Sequence, residues 1–412
     1  MRGTMAASLQ SASGAHIDVL DGLRGIAILM VVWWHLWLFS WLSPYFPLFG
    51  KTWSALVFPG TGLMGVELFF FISGFVLFYP YARHLFEGGQ LPTLKQFAYR
   101  RFIKIVPSYV IAVFGTALLV WFNFASVREA IWQVVAHLLF IHTFWVDTWV
   151  GINGVLWSLG IEVQFYLLFP LICWAFRRVP LVTYLAMVVV AMAYRLFAAR
   201  CCVADYVIMG QLPAYLDLFA SGMLACWIYV AVRRDSRFAR VRWLTTLVAI
   251  GTGLGVYAML SALVMHLYPA VGDASVEYAK WQAANRQYFG ALLGVFTIAS
   301  CLAYPWWRTL IANRITVFFG IISYNLYLWH QAILEYMLKH RIPAPWLPEP
   351  HADEYWKWRY VLLGLAVTIV ISTFITYAIE RPLLKRGFRA VTDLFVKRPA
   401  PTAVTASAPS DG

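Results

Sequence analysis

An arginine and a histidine bracket an apolar stretch near the start of the chain. In LDGLRGIAILMVVWWH, residues 20–35, Arg24 is followed by ten uncharged residues and then by His35. In a helix, this spacing puts both side chains on one face, about 16 Å apart along the axis. An imidazole exchanges protons near neutral pH, so His35 is a candidate general base. Two plainer interpretations stay open: Arg24 as a topology anchor paired with Asp21, and His35 as a hydrogen-bonded packing residue.

A second apolar run carries a polar stripe. In LWSLGIEVQFYLLFP, residues 156–170, Ser158, Glu162 and Tyr166 recur every fourth residue and therefore share one helix face. If this helix enters from the outer surface of the membrane, Glu162 lies about five residues from its outer end, at nearly the depth of His35. A carboxylate beside an imidazole orients the ring and raises its basicity, so the stripe is a candidate part of the same site.

Two more runs place ionisable groups inside apolar sequence. ISYNLYLWHQ, residues 322–331, carries Tyr327 and His330 on one helix face. FPGTGLMGVELFFFISGFVL, residues 58–77, holds Glu67 near its middle, where a carboxylate needs a partner or a proton. The glycines around this carboxylate indicate close helix packing.

Cationic side chains cluster in YRRFIKIVPSY, residues 99–109. Arg100, Arg101 and Lys104 stand where an apolar run begins. They are either a topology signal or a phosphate site for an anionic ligand that enters from the cytoplasm. The basic cluster and the histidines lie at different depths, which suits a ligand with an anionic head and a reactive tail.

The elements that carry these residues are membrane helices by composition. Of 412 residues, 61% are hydrophobic and 12% are charged, and the mean hydropathy is +0.69. Soluble domains carry about 25% charged residues, so a water-soluble fold is excluded. The 20 Trp and 22 Tyr suit membrane interfaces. The net charge of +13 is explained by basic cytoplasmic loops, and we expect no nucleic-acid partner.

Ten apolar runs have the length or composition of spanning helices, and the sequence predicts an all-α bundle with both termini cytoplasmic. This arrangement puts most Lys and Arg residues inside, if 131–146 is a helix on the outer surface rather than a span. The predicted spans lie near 23–41, 56–80, 106–123, 157–175, 180–198, 212–231, 243–267, 289–304, 315–338 and 359–379.

One membrane domain, residues 17–388, accounts for most of the chain. Residues 1–16 are a polar segment without a cleavable leader, so the first span is expected to be an uncleaved anchor. Residues 389–412 are basic and then Pro/Ala/Ser/Thr-rich, as in a disordered tail. The five cysteines show neither a disulfide framework nor the spacing of metal ligands, and we expect no metal.

Five motifs in order resemble the acyltransferase-3 family of integral membrane acyltransferases. They are LDGLRGIAILMVVWWH, GVELFFFISGFVL, RRFIKIVP, WSLGIEVQFYLLFP and SYNLYLWH, and the resemblance covers about 17–388. It implies a polytopic bundle that moves acyl groups, often acetyl, from cytoplasmic acyl-CoA. The acceptors that it implies are sugars of lipopolysaccharide, exopolysaccharide, antibiotics or modulation factors. The chain ends soon after its Glu-Arg-Pro at 380–382, so it resembles the stand-alone form.

The resemblance implies roles for individual residues. The essential arginine and histidine of the family's first span match Arg24 and His35. Its basic R-x-x-R motif matches Arg101 and Lys104, where lysine keeps the charge but loses the bidentate fork of arginine. Its glutamate in the W-S-L-x-x-E pattern matches Glu162.

The resulting hypothesis is an O-acyltransferase of the inner (plasma) membrane, acting on a saccharide or glycolipid. Its oligomeric state stays open, as does the choice between direct transfer and an acyl-histidine intermediate. The predicted catalytic residues are His35, Glu162, Arg24 and His330. Acyl-CoA is predicted to bind Arg24, Arg100, Arg101 and Lys104, and the substrate to bind Glu67, Ser158, Tyr166 and Tyr327.

A proton-coupled transporter is the rival hypothesis, because buried His and Glu residues also suit a proton relay. The sequence shows neither an inverted repeat nor paired broken helices, which such transporters often have. A glycan flippase or polymerase is a weaker alternative, since neither needs a basic site large enough for CoA.

Overall fold

The computed structural model describes residues 17–43, 45–48, 51–54, 60–121, 124–202, 205–267 and 274–387. The predictions for 1–16 and 389–412 concern residues outside these ranges. The described chain is helical, apart from an antiparallel hairpin of Tyr45–Leu48 (β1) and Lys51–Ser54 (β2) in which Tyr45 pairs with Ser54. The prediction of an all-α membrane bundle is confirmed.

Sixteen α-helices follow one another along the described chain. They are α1 Asp18–Ser40, α2 Met64–Glu87, α3 Leu94–Leu119, α4 Val127–Leu138, α5 Val146–Trp149, α6 Trp157–Arg178, α7 Pro180–Cys201, α8 Tyr206–Met209, α9 Leu216–Val232, α10 Ser236–Arg240, α11 Arg242–Leu267, α12 Ala274–Leu302, α13 Pro305–Ile311, α14 Arg314–Lys339, α15 Glu354–Ile375 and α16 Arg381–Arg386. Short 3-10 helices lie at His142–Phe144, Leu212–Tyr215 and Pro350–Ala352, and a π-helical turn at Thr376–Glu380 joins α15 to α16.

Nine helices within the described residues are long and apolar enough to cross a membrane. They correspond to nine of the ten predicted runs. The tenth run, 289–304, lies largely in the second half of α12, which is 29 residues long and carries Lys280 and Arg286 in its first half. Because of this polar half, α12 is not among the nine helices that are apolar enough to cross, although it is long enough to do so.

The segment 131–146 does not form a spanning helix. Its main element, α4, has 12 residues, whereas a crossing needs about 20. The chain then turns through His142–Phe144 and the four-residue α5. The sequence-based expectation that this segment does not span is therefore confirmed by its length.

Glycines bring α1 into backbone contact with two neighbours. A Cβ added to Gly25 would lie 1.8 Å from the carbonyl oxygen of Thr316 in α14, and one added to Gly65 would lie 2.5 Å from that of Ala27. Small residues allow such an approach because no side chain separates the helices. The result is that α14 and α2 both pack directly on α1.

Two apolar clusters form the core and meet at a seam. The first is built mainly from α2, α6 and α9, and the second from the C-terminal half of α1 with α3, α14 and α15. Val66, Phe69 and Tyr166 contact both clusters. Several of the polar residues singled out in the sequence lie along this seam, described below.

Candidate active site

Two histidines from different helices meet at the centre of the site. Nε2 of His330 lies 3.1 Å from Nδ1 of His35, and the ring centroids are 4.7 Å apart at 74°. The first histidine comes from α14 and the second from α1, which the glycine contact at Gly25 holds together. His330 is fully buried, whereas His35 is partly accessible.

The hydrogen bonds of this pair determine which nitrogens carry hydrogen. Nδ1 of His330 lies 2.9 Å from the carbonyl oxygens of both Leu326 and Tyr327, and a carbonyl can only accept. Nδ1 of His330 therefore donates, and its Nε2 accepts from Nδ1 of His35, which also faces the carbonyl of Val31 at 2.9 Å. In the neutral pair, Nε2 of His35 keeps its lone pair and can act as a base.

The start of α6 lies beside the middle of α14. The Oγ of Ser158 is 2.6 Å from the hydroxyl of Tyr327, and the amide of Asn153 donates to the carbonyl of Leu328 over 2.8 Å. The Tyr327 hydroxyl also donates to the carbonyl of Val155 at 2.9 Å. These bonds attach the loop before α6 to the helix that carries His330.

This attachment changes the depth at which Glu162 lies. The sequence placed it at nearly the depth of His35, on the assumption that α6 begins at the membrane surface. Because α6 begins beside Tyr327, Glu162 lies about 10 Å from His330 along the helix axes, towards the end where α14 begins. Its carboxylate accepts hydrogen bonds from Ser73 at 2.6 Å and from Tyr166.

Basic side chains gather at the end of the bundle where α1 and α14 begin, which we call the basic end. The guanidinium of Arg101 lies 5.9 Å from the ring of Tyr166, and its buried Nε has no hydrogen-bond partner among the described residues. Arg24 and Arg101 both act electrostatically on Lys104, and Arg100 acts on Tyr81. The four predicted CoA-binding residues thus share this end.

Lys104 has a partner that the sequence did not suggest. Its ammonium group pairs with the buried carboxylate of Glu380, in the π-helical turn. The other oxygen of that carboxylate accepts from the amide of Asn325 at 2.6 Å. Part of the lysine charge is therefore balanced within the bundle.

Glu67 belongs to a separate group of four buried charges. Its Oε1 lies 3.0 Å from Nη2 of Arg286, and Nη2 of Arg195 lies 2.7 Å from Oδ2 of Asp217. Both guanidinium groups also donate to the carbonyl of Ala214, at 2.9 and 2.7 Å. We call these four side chains the charge quartet; they connect α2, α7, α9 and α12.

Three members of the quartet were missed in the sequence, although two carried a usable signal. Arg195 and Asp217 lie inside the apolar runs 180–198 and 212–231, where any ionisable residue deserves a functional or structural explanation. Arg286 precedes the predicted run 289–304, so the sequence pattern leaves it outside the span. Only the continuation of α12 back to Ala274 places it inside the bundle.

A second histidine pair lies in the segment between α3 and α6. The rings of His137 and His142 stack at 4.2 Å and 9°, and both residues are fully buried. Burial lowers the pKa of His137 to about 3 and that of His142 to about 4. Both imidazoles are therefore neutral at physiological pH.

The described residues contain no group of three or more His, Cys, Asp or Glu side chains that could hold a metal ion. The polar residues instead form a file along the seam. It runs from Arg101 through Tyr166 to Glu162, and one helical turn further Ser158 continues it towards Tyr327 and the histidine pair. Such a file suits a long ligand with an anionic end.

Comparison with known proteins gives two informative relatives. The chain is 26% identical over 395 residues to peptidoglycan O-acetyltransferase OatA of Listeria monocytogenes serovar 1/2a, covering 91% of this chain and 57% of the relative. It is 25% identical over 413 residues to O-acetyltransferase OatA of Staphylococcus aureus (strain NCTC 8325), covering 94% of this chain and 60% of the relative. The chain spans about three fifths of the length of these curated relatives. No solved structure matches it.

The family assignment rests on a longer match. Residues 17–378 match the acyltransferase domain model of the acyltransferase-3 family. This range contains the histidine pair, the Glu162 stripe and the basic end. The resemblance predicted from the five motifs is thereby confirmed, and the chain belongs to the acyltransferase-3 family of membrane-embedded acyltransferase domains.

Proposed function

We propose that this chain is an integral membrane O-acyltransferase. It moves an acyl group, acetyl by analogy with the names of its relatives, from acyl-CoA to a hydroxyl of a saccharide. The observation that carries the proposal is the His35–His330 pair, which leaves Nε2 of His35 with a lone pair. The polar file from the basic end to this pair supports it.

The proposed reaction uses Nε2 of His35 as a general base. It takes the proton of the acceptor hydroxyl while the hydroxyl oxygen attacks the thioester carbonyl. The tetrahedral intermediate collapses to the ester, and the CoA sulfur leaves with the proton from the imidazolium. His330 and the carbonyl of Val31 both hold the ring in the tautomer that this step requires, and the acceptor nitrogen of His330 stabilises the positive charge that forms.

A covalent route fits the same atoms. Nε2 of His35 attacks the thioester carbon, the carbon–sulfur bond breaks and CoA leaves as the thiolate. The acceptor hydroxyl then takes the acyl group from the imidazolium, and the proton that it loses converts the thiolate to the thiol. An acyl group on His35, detected by mass spectrometry after incubation with acyl-CoA alone, would select this route over direct transfer.

The basic end supplies the proposed donor site. Arg101 has a buried, unpartnered Nε, and phosphate oxygens are its natural acceptors. Arg24 and Arg100 add charge, whereas Lys104 is shared with Glu380. The donor is a thioester substrate whose amide N–H groups can donate to the Glu162 carboxylate along the file.

The same charge distribution supports an orientation in the membrane. Basic residues are retained on the cytoplasmic side, so we place the basic end in the cytoplasm and the opposite end outside the inner membrane. In this orientation acyl-CoA enters from the compartment where it is made. The acceptor reaches His35 from the other side.

The remaining polar groups predicted from the sequence act in the proposal as positioning residues. The Tyr327 hydroxyl is already bonded to Ser158 and to the carbonyl of Val155, so it fixes the α6 loop against α14. Glu67 is held by Arg286 and Gln282 inside the charge quartet, which favours a structural part for it. Substrate contacts are left to His35, Glu162 and the basic end.

The test incubates the purified chain in proteoliposomes with acetyl-CoA and a panel of saccharides. Two readouts are measured: the release of the CoA thiol and the mass of the glycan. We expect His35→Ala to lower kcat by at least about 10²-fold, since general base catalysis contributes about 10²–10⁴. Arg101→Ala should instead raise KM for acetyl-CoA. His340→Ala, which replaces the exposed histidine that follows the last residue of α14, is the matched control.

Three results would contradict the proposal. Undiminished acyl transfer in His35→Ala would show that His35 is not the general base. Transfer lost equally in His340→Ala would show a general defect of α14. Unaltered glycans, with a solute accumulated across the membrane in a proton-dependent way, would favour a transporter.

A further inference from the structure

Exposed aromatic side chains crowd the end of the bundle opposite the basic end. Trp41 is 69% exposed, Trp346 is 70% exposed and Tyr355 is 57% exposed. We call these three residues, together with His351, the outer aromatic platform. On a soluble protein, a patch of exposed aromatic side chains marks a binding site. On a membrane protein, such a patch is either a binding site or an anchor at the membrane interface.

The platform is continuous with the candidate active site. The ring of Phe39 lies 6.2 Å from that of His35, and Nε2 of His351 donates to the carbonyl of Phe39 over 3.0 Å. The ring of Trp41 is 6.1 Å from that of His351. His351 therefore joins the platform to α1 at Phe39, which lies one helical turn, about 6 Å, beyond the proposed catalytic base.

Hydrogen bonds hold the platform in one arrangement before any ligand binds. Oδ2 of Asp353 accepts from the backbone N–H of Trp346 at 3.1 Å, and its Oδ1 accepts from that of Trp356 at 2.9 Å. These backbone donors, that of Trp356 foremost, lower the pKa of the Asp353 carboxyl, which stays ionised. The indole of Trp356 in turn donates to the carbonyl of Pro343 at 2.8 Å.

The aromatic rings are themselves ordered. Trp346 and Tyr355 stack at 4.7 Å and 18°, and the guanidinium of Arg359 lies 4.8 and 5.1 Å from their centroids. Trp41 is the C-cap that follows α1, and its φ of 59° lies in the left-handed region that a bulky residue rarely adopts. A strained backbone that presents an exposed indole is typical of a functional position.

The chemistry of the platform suits a sugar. A pyranose ring has an apolar C–H face, which packs on an aromatic face, and a polar edge of hydroxyl groups. The polar edge finds an acceptor in Nδ1 of His351, because Nε2 of that ring is the donor to Phe39. Rigid aromatic surface with a few placed polar groups is the usual lining of a ligand site.

From this arrangement we propose that the outer aromatic platform binds a sugar unit of an oligosaccharide acceptor, adjacent to the unit that is acylated at His35. Trp41 lies about 9 Å beyond His35 along the helix axis, a separation larger than one pyranose ring. The acceptor is therefore a chain of at least two sugars. This inference rests on the proposed function, since it assigns the acceptor of that same site.

The test compares two tetrasaccharides, of cellulose and of β-1,4-linked N-acetylglucosamine, with their monosaccharides. Binding is titrated by saturation-transfer NMR on the chain in nanodiscs. We expect Trp346→Ala and Trp41→Ala to raise Kd for a tetrasaccharide at least tenfold and to leave the weak monosaccharide binding within twofold. Trp346→Phe should restore most of the affinity, which separates stacking from a folding defect.

Trp358→Ala is the matched control, because Trp358 is 46% exposed and lies in the same helix as Tyr355 but makes no ring contact with the platform among the described contacts. An equal loss in Trp358→Ala would identify the aromatics as interface anchors and overturn the proposal. Failure of the unsubstituted chain to bind either tetrasaccharide would overturn it as well. If binding depends on Trp346 but no acyl transfer occurs, the proposed function fails and the platform stands; if transfer depends on His35 but Trp346→Ala behaves as Trp358→Ala, only the platform fails.

Discussion

At the scale of residues, two acceptors decide which nitrogen of one imidazole carries hydrogen. His330 donates from Nδ1 to its own helix and so offers only a lone pair at Nε2. Nδ1 of His35 faces this lone pair at 3.1 Å and the carbonyl of Val31 at 2.9 Å, so it carries the hydrogen and leaves Nε2 of His35 free. Both contacts favour the tautomer that can act as a base.

Replacement of His330 tests this positioning. The side-chain oxygen of glutamine can accept from Nδ1 of His35, whereas leucine of similar size cannot. We expect His330→Leu to lower kcat by about 10²–10⁴ and His330→Gln to retain most of the activity, with KM for acyl-CoA unaltered in both. Equal kcat values in the two variants would show that the ring only fills space.

At the scale of helices, glycine contacts decide whether the histidines meet. The path from Gly25 to His35 is ten residues of uninterrupted helix, and the backbone of Gly25 touches that of Thr316. Any added atom at this crossing moves α1 from α14. The position of the histidine pair thus depends on a residue about 15 Å away along the axis.

Gly25→Ala tests this dependence, since its Cβ would lie 1.8 Å from a carbonyl oxygen. We expect lower thermal stability, by about 1–3 kcal/mol as for overpacked cores, and a loss of acyl transfer. Gly251→Ala is the control, because nothing lies within 4 Å of its added Cβ and alanine favours helix. Unfolding in detergent and turnover would be measured together; a harmless Gly25→Ala would contradict the described packing.

The stacked histidines between α3 and α6 predict acid sensitivity of that segment. The pKa of each ring is lowered by burial, to about 3 and about 4, from an ordinary value near 6.5. The unfolded chain therefore binds protons that the folded chain excludes as the pH falls below about 6.5. This contribution to stability is complete above that pH and is lost progressively as the pH falls towards 4 and then 3.

The measurement is the slope of unfolding temperature against pH between 7 and 4.5. We expect a smaller fall in His137→Gln/His142→Gln than in the unsubstituted chain, whatever the absolute stability of the variant. His340→Gln should keep the original slope because that side chain is exposed. The same slope in all three proteins would exclude the pair as the titrating groups.

At the scale of the whole molecule, two apolar halves enclose one polar seam. The charge quartet links α2, α7, α9 and α12 on one side, and the α1–α14 contact lies on the other. The quartet has two carboxylates and two guanidinium groups, so its charges balance. Burial of such groups is tolerated only while every charge keeps its partner.

Arg286→Met should therefore destabilise the protein by about 3–5 kcal/mol, because it leaves Glu67 buried without its guanidinium. The double variant Glu67→Gln/Arg286→Met should recover part of this loss, since it removes both charges. Lys280→Ala breaks an exposed pair with Glu277 on the same helix and should cost at most about 1 kcal/mol. A double variant no more stable than Arg286→Met would contradict the charge argument.

The sequence by itself determined the class of the fold and the family, and it pointed to most of the residues of the candidate site. Apolar runs of helical length require a membrane bundle because the hydrocarbon core excludes unpaired backbone groups. Ionisable residues within those runs, such as His35 and Glu162, were visible because their burial is costly. The sequence thus identified the side chains whose burial requires a structural or functional reason.

Only the tertiary structure decided which of these residues are partners. Glu162 was expected near His35, but the loop before α6 enters the bundle and begins that helix beside Tyr327. Lys104 pairs with Glu380, 276 residues further along the chain, and Glu67 pairs with Arg286. Helix periodicity determines which residues share a face of a helix, but it does not determine their depth in the bundle. The depth at which a helix starts, and the helices that it contacts, are not local properties of the sequence. They follow from close contacts between distant helices, which no single stretch of sequence contains.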